Sequence, residues 1–449
     1  MARTLEGCAS NGLILEPMNI SSTVPRSVKP AESDTRTRLT PLETSLVALL
    51  TTSALINYVD RQAIAVVSPL LKTEFHLSAT QWGYVTSVFA ISYVLTSALG
   101  GVWIDKIGVR KGLLISTIVW SLAAAGHALA NNFLTLCFWR VMLALGEGPG
   151  GACQLKGVRR VCPPRLRDFG TGIIGAGTLL GALLAPLTVA PLAASIGWRA
   201  AFVVTSLLGA IWLPFWIVQS RRKEAGLGAP EEVSPEAAAV AGPRLLTAKS
   251  FGVWATAICI FFTIPPTVFT LAFFPLFLAS TYGLDIKQSA SYQWQPFLAM
   301  DLGQIVAGVL LMYLLRRGWE FLSARRLVMV SGFLGATTMV MMNFAPDLAG
   351  TMIWLNFSRF CFQFAYVGLL AYGISIVADR ETGRMNGFMN ATFGACSAVF
   401  APIIGQLSDH FGGNYKPIIW LVGLMPLVGL TGWLVLSRLH DRAVAQLES

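Results

Sequence analysis

An acid and a base stand side by side in the first long apolar run of this chain, where Asn57-Tyr58-Val59-Asp60-Arg61-Gln62 lies within Leu50 to Leu71. A second carboxylate, Glu147, interrupts another apolar run seven residues after Arg140. An ionised side chain in hydrocarbon costs at least a few kcal/mol, so such residues normally face a water-filled cavity. Two chemistries follow from these residue types. Asp60 and Glu147 could load and release a proton, because burial and a neighbouring arginine pull a carboxyl group's proton affinity in opposite directions. Arg61 offers a planar fork that matches a carboxylate and would neutralise an organic acid entering a low-dielectric cavity. On a helix Asp60 and Arg61 point about 100° apart, so they cannot simply cancel one another. Structural readings stay open beside these. Glu147 could be the partner of Arg140, Arg140 and Arg359 could be helix-bundle residues or ligands, and Asp301 could contact substrate or pair with an arginine of the second half.

The elements that would hold these groups are membrane helices. Of 449 residues, 54% are hydrophobic and only 12% charged, against roughly 25% charged in a soluble protein. Twelve apolar stretches recur, near 42–68, 81–104, 112–130, 133–157, 169–194, 199–219, 251–280, 289–315, 326–346, 350–377, 386–408 and 416–437. A spanning helix needs about 20 residues, and the runs are continuous rather than alternating, which excludes barrel strands. The expected fold is an all-α membrane protein of twelve transmembrane helices in two six-helix pseudo-symmetric bundles. The divisions are a tail over 1–40, bundles over 41–219 and 251–438, a linker loop over 220–250 and a second tail over 439–449.

The net charge of +10 would suit nucleic acid, but its placement does not. With a cytoplasmic N-terminus, only Lys72, Arg199, Lys287 and Lys416 fall in outside loops and Arg61, Arg140 and Arg359 deep within spans; the remaining Lys and Arg lie in inside segments or at the inner ends of spans. That bias places both termini in the cytoplasm and makes the basic clusters leaflet anchors. No outside loop holds any of the seven cysteines, so no disulfide framework is expected. His76 and His127 fall near the outer surface and read as bystanders.

An internal echo divides the chain. Leu136-Cys-Phe138-Trp-Arg140 opens the fourth span and Leu355-Asn-Phe357-Ser-Arg359 the tenth, both reading L-x-F-x-R. Seven residues beyond Arg140 stands Glu147; seven beyond Arg359 stands Tyr366. Ion coupling is therefore assigned to the first half, and shaping of the substrate site to the second.

Between the second and third spans runs Gly101-Val-Trp-Ile-Asp105-Lys106-Ile-Gly108-Val-Arg110-Lys111, which resembles the signature loop of the major facilitator superfamily. In it Gly101 would let another helix approach closely, Asp105 would pair with a basic residue or cap a helix, and Gly108 would permit a tight turn. Arg140 and Gly197-Trp198-Arg199-Ala-Ala-Phe202 are further family-like features. Asn57-Tyr58-Val-Asp60-Arg61 and Gly146-Glu147-Gly148-Pro149 are similar to the anion:cation symporter family within it. The stretch Trp294-Gln295-Pro296-Phe297-Leu-Ala-Met-Asp301-Leu-Gly303-Gln304 resembles the eighth-span region of bacterial hexuronate transporters. The resemblance implies the major facilitator fold and import of an organic anion, a sugar acid such as a hexuronate or aldonate, by proton symport. It also implies that Tyr58, Tyr93, Gln154, Ser375 and Asn390 would hydrogen-bond the substrate, and leaves Gln304 beside Asp301 as a possible site residue. After Glu147 the chain departs toward glycine, in Gly150-Gly151-Ala152-Cys153-Gln154.

The expected protein is thus a monomeric secondary transporter of a bacterial inner membrane, whose partners are a small organic anion, protons and the bilayer, with no nucleic acid. It would be no enzyme, with no cofactor and no metal site. There is no G-x-x-x-x-G-K-[ST] loop for a nucleotide, and the four His residues form no catalytic constellation. Sodium coupling or export is the rival reading, a membrane-embedded sensor or enzyme the remote one.

Overall fold

The computed structural model describes residues 38–222, 227, 250–377 and 381–448. Residues 1–37 of the expected 1–40 tail and most of the 220–250 linker lie outside the described residues. Those described are helical, without strands among them. The spans follow in order as Pro41–Val66, Ala79–Gly126 (the second and third together), Phe133–Val161, Arg167–Ile196 and Trp198–Ser220. Then come the seventh in pieces from Phe251 to Tyr282, the eighth as Ile286–Gln293 and Gln295–Arg316, the ninth from Phe321 to Phe344, Leu348–Ser375, Thr382–His410 and Lys416–Glu448.

Local chemistry sets the helix starts. Thr40 with Glu43, Ser78 with Gln81, Asn132 with Thr135 and Asp285 with Gln288 form reciprocal capping boxes, satisfying amide groups that a helix cannot bond itself. Gly108 has φ 79° and ψ 159° and breaks the long helix between its second and third spans; only glycine adopts this region without strain. In the seventh span the helix ends at Thr263 and restarts at Pro265, and a π-turn follows over Phe269–Phe273. Pro265-Pro266, which cannot donate backbone hydrogen bonds, is where the chain deviates.

Nine helical stretches among the described residues are long and apolar enough to cross a membrane. One of them, Ala79–Leu129, contains two spans. The fourth and tenth are 29 and 28 residues long; the polar residues that interrupt them dilute their hydropathy. At the end, the helix continues to Glu448, through most of the 439–449 segment, because Leu, Arg, Ala, Gln and Glu favour helix.

The two faces of the bundle differ. On the face holding the turns near 75–78, 283–285 and 411–415, here the loop side, the first and last six spans are bonded together. Asp409 accepts from the backbone amides of Ala79 and Thr80 (both 2.8 Å) and from the Thr80 hydroxyl (2.6 Å). Trp82 donates its indole N–H to the Ala272 carbonyl (2.9 Å), and Ser87 its hydroxyl to the Ala398 carbonyl (2.6 Å). Gly83 lets the backbones touch: a Cβ there would lie 2.7 Å from Pro402 Cα. Consistent with this seal, one buried apolar cluster runs from Val59 to Trp433 through both halves. A second stays within the first half, from Leu46 to Leu227.

Candidate functional site

Depth in the bundle follows from helix rise, 1.5 Å per residue. Counted from Glu74, where the first helix and its short continuation end, Arg61 lies about 20 Å from the loop side. Glu147, counted from Phe133, and Tyr93, counted from Ala79, reach about 21 Å. Three helices thus deliver these side chains to one level near mid-bundle, and they meet there. Arg61 Nε donates to Glu147 Oε2 at 2.7 Å, with the Glu147 side chain fully enclosed and that of Arg61 16% exposed. The guanidinium carbon sits 4.4 Å from the Tyr93 ring centre and 4.6 Å from that of Tyr58, within cation–π range. Asn57 Oδ1 accepts from Arg61 at 3.5 Å.

Glu147 therefore pairs with Arg61 rather than with Arg140 on its own helix. Arg140 is buried and lies 4.0 Å over the Phe89 ring, with Nε and Nη1 lacking hydrogen-bond partners. Asp60 is 1% exposed, and neither of its carboxylate oxygens has a partner among the described residues. Glu147 Oε1 is likewise unpartnered. Two charged groups with unsatisfied atoms beside an ion pair whose own carboxylate has a free oxygen form an arrangement that a proton or an incoming anion can rearrange, since an orphaned buried charge is costly.

The other expected site residues are spread along the axis. Gln154 donates to Ser53 Oγ at 3.0 Å, about 10 Å nearer the terminal side than Glu147. Asn390 is exposed and donates to the Asn386 carbonyl. Ser375 is the last residue of its helix and donates to the Tyr372 carbonyl; it lies about 20 Å below the Arg61 level. The structure does not bring Ser375 to Arg61: helix register separates them by more than one small substrate spans. Asp301 lies at the Arg61 level on the eighth span, and Gln304 accepts from Gln363 at 3.0 Å. Arg359 is wholly buried, donating to Thr267 (3.2 Å) and Ser358 (3.0 Å), with its Nε lacking a partner among the described residues.

At the terminal side Asp105 pairs with Lys156 of the fourth span, and Gly108 makes the turn. Arg110 receives the Trp216 indole N–H at its carbonyl (3.1 Å), and its amide donates to Leu227 (3.2 Å). The expectation for Gly101 needs correction. Nothing lies within 4 Å of a Cβ placed there; the close approach belongs to Gly100, where a Cβ would meet Pro149 Cα at 2.8 Å. Adjacent residues on a helix face about 100° apart, and the Pro149 side fell one position earlier. His127 lies at the loop-side end of the third span. It is buried and stacked on Phe202 with ring centres 5.1 Å apart.

Sequence reasoning missed Lys156, Phe89 and Gln363. Lys156 could have been found as a second cation far along the fourth span; Phe89 carries no signal distinguishing it from ordinary apolar residues.

The Major Facilitator Superfamily model matches residues 50–370. A hexuronate transporter of Bacillus subtilis is 27% identical over 380 residues, covering 82% of this chain and 88% of that one. A probable sulfoacetate transporter of Cupriavidus necator is 29% identical over 377 residues, covering 81% and 87%. The crystal structure of a D-xylose-proton symporter superposes with a TM-score of 0.72 at 16% identity, covering 87% and 97%; that likeness concerns the fold alone. Together with the all-helical bundle and its multiple apolar spans, the matched length shows that this chain is a multi-pass membrane transporter belonging to the major facilitator superfamily.

Proposed function

We propose that the protein imports a sugar acid, a hexuronate or aldonate, with protons by alternating access. The observation that carries this reading is the Arg61–Glu147 pair at mid-depth, framed by Tyr58 and Tyr93. The substrate carboxylate and Glu147 compete for one guanidinium. A proton on Glu147 weakens its hold, frees the Arg61 fork for the anion and keeps the site's charge balanced as the substrate enters. Asp60, enclosed with the Thr205 hydroxyl beside it and no bond meeting hydrogen-bond geometry among the described residues, is the second proton carrier, since holding a proton removes the cost of its buried charge. The relatives' names point the same way: a hexuronate carries both a carboxylate for Arg61 and hydroxyls for Tyr58, Tyr93 and the polar groups of the second half.

In this scheme the bundles over 41–219 and 251–438 rock about the site, and both termini lie in the cytoplasm of a bacterial inner membrane. The loop side is then the outer face. The bonds from Asp409 to Ala79 and Thr80 close it, while the Asp105–Lys156 pair stays within the first half at the cytoplasmic face. Such a state releases substrate inward. A second reading, a short organosulfonate, is favoured by the sulfoacetate relative at 29% identity. Proteoliposomes under separately imposed pH and sodium gradients test both. Uptake of labelled glucuronate or gluconate driven by an inwardly directed proton gradient is expected; sodium-driven uptake, or uptake of sulfoacetate alone, would overturn the proposal.

A further inference from the structure

Among the described residues the carboxylate of Asp301 has no basic partner, although it stands at the level of the Arg61 site. Among the described residues no Lys or Arg lies within salt-bridge distance of it, and Oδ1 is buried without a hydrogen-bond donor. Its place on the helix shows where it faces. Phe297, one turn earlier, lines a cleft between the halves together with Gln62 and Pro186. Asp301, Gln304 and Gly308 follow at spacings of four, three and four residues, which keeps them on one helix face. Gly308 meets open space, with nothing within 4 Å of a Cβ. The exposed apolar residues Leu302 and Val309 lie about 80–100° round the helix from Asp301.

Depth agrees. Asp301 lies fifteen residues into the eighth span from Ile286, and Gln363 fifteen residues into the tenth from Leu348, about 22 Å from the loop side in each case. That is the level of Arg61 and Glu147. Gln363 Nε2 donates to Gln304 Oε1 at 3.0 Å, a bond that uses neither the Gln304 amide N–H groups nor the Gln363 carbonyl.

We infer that Asp301 and the Gln304–Gln363 pair form a hydroxyl-reading subsite of the second half, facing the substrate's tail while Arg61 holds its carboxylate. The inference rests on the sugar-acid reading above and adds a direction to it. A carboxylate accepts hydrogen bonds from neighbouring hydroxyls, and the two amides supply a donor and an acceptor for others. The same carboxylate repels a second anionic group. Arg359 cannot offset this, being fully buried and turned to Thr267 and Ser358. The subsite therefore selects polyhydroxy monoacids and rejects both dicarboxylates of the same length and short acids without hydroxyls.

Purified full-length protein in detergent is assayed by calorimetric binding of gluconate, its six-carbon diacid glucarate, and sulfoacetate. Wild type is expected to prefer gluconate. Asp301→Asn should weaken gluconate about tenfold and shift the glucarate-to-gluconate affinity ratio by about tenfold or more toward the diacid. Gln304→Ala should weaken gluconate while leaving that ratio as in wild type, because it removes a hydrogen bond but no charge. Thermal melting of each variant checks folding. An unchanged ratio in Asp301→Asn, with gluconate still bound, removes the subsite alone; so does loss only of proton-driven accumulation, which would make Asp301 a proton carrier. Failure of wild type to bind any sugar acid removes the sugar-acid reading and the subsite with it.

Discussion

The fourth and tenth spans open on the same L-x-F-x-R pattern, yet their arginines live in different surroundings. Arg140 shares its helix with Glu147, and Glu147 reaches across to Arg61; among the described residues Arg359 meets neutral groups, Thr267, Ser358, the Phe362 ring and the Met339 sulfur at 4.0 Å. One member of the repeat therefore sits in a set of charges that a proton or a ligand can rearrange. The other is a fixed strut, tied to the seventh span just after its Pro265-Pro266 break. A repeated sequence supplies equal backbones. Which copy becomes a working site depends on whether a carboxylate falls two turns further along the same face.

The largest effect should come from the charged copy. Arg61→Ala removes the guanidinium and orphans Glu147, and is expected to weaken sugar-acid binding at least about 100-fold, equivalent to about 3 kcal/mol or more. Unchanged affinity in a binding isotherm would break the comparison at its centre. Glu147→Gln and Asp60→Asn should abolish accumulation driven by a pH gradient while substrate exchange at equal pH persists. Counterflow measured beside gradient-driven uptake separates the two, and full accumulation by both variants would remove the coupling role.

The neutral copy should respond in stability rather than in binding. Arg359→Ala leaves a cavity and unsatisfied hydroxyls in the core, at a cost of about 3 kcal/mol, so its melting temperature should fall with substrate affinity kept. Arg359→Met, which fills the space with an apolar chain, should recover part of the loss. A drop in affinity without a drop in melting temperature would move Arg359 into the site.

The smallest effect lies at the loop side, outside the spans. The Trp198 indole N–H, donated at 2.6 Å, and then Arg199 hold the Glu74 carboxyl below its ordinary range. A depressed value in the folded state contributes stability above the ordinary carboxylate range, lost as pH falls through the lowered value. Both side chains of the Glu74–Arg199 pair are more than 40% exposed, so screening keeps the contribution below about 1 kcal/mol. Glu74→Gln should lower the melting temperature slightly at neutral pH and not at all in strong acid; an equal loss at both would discount the charge.

Much of the fold was legible because hydrocarbon imposes a simple rule: each crossing needs a long apolar helix, and breaks need Pro or Gly. Pro265-Pro266, Gly108 and the Asp105 motif each mark a feature that the structure contains. Gly101 was misread in favour of Gly100 because a one-residue shift turns a helix face by about 100°, and no single sequence shows which face a neighbour occupies. Ser375 and Asn390 belong to the helices that resemblance suggested, but register places Ser375 far from the Arg61 level, a separation visible only when helices are set side by side.

Composition, the spacing of apolar runs and the rare charges within them were enough to establish a twelve-span helical membrane protein and to single out Asp60, Arg61, Glu147 and Asp301, because burying charge in lipid is costly wherever it occurs. Partnership was decided in three dimensions. Only packing gave Glu147 to Arg61 instead of Arg140, gave Arg359 to Thr267 and Ser358, and left Asp301 without a cation, because a pair forms between groups brought to one depth and one face, and neither follows from distance along the chain.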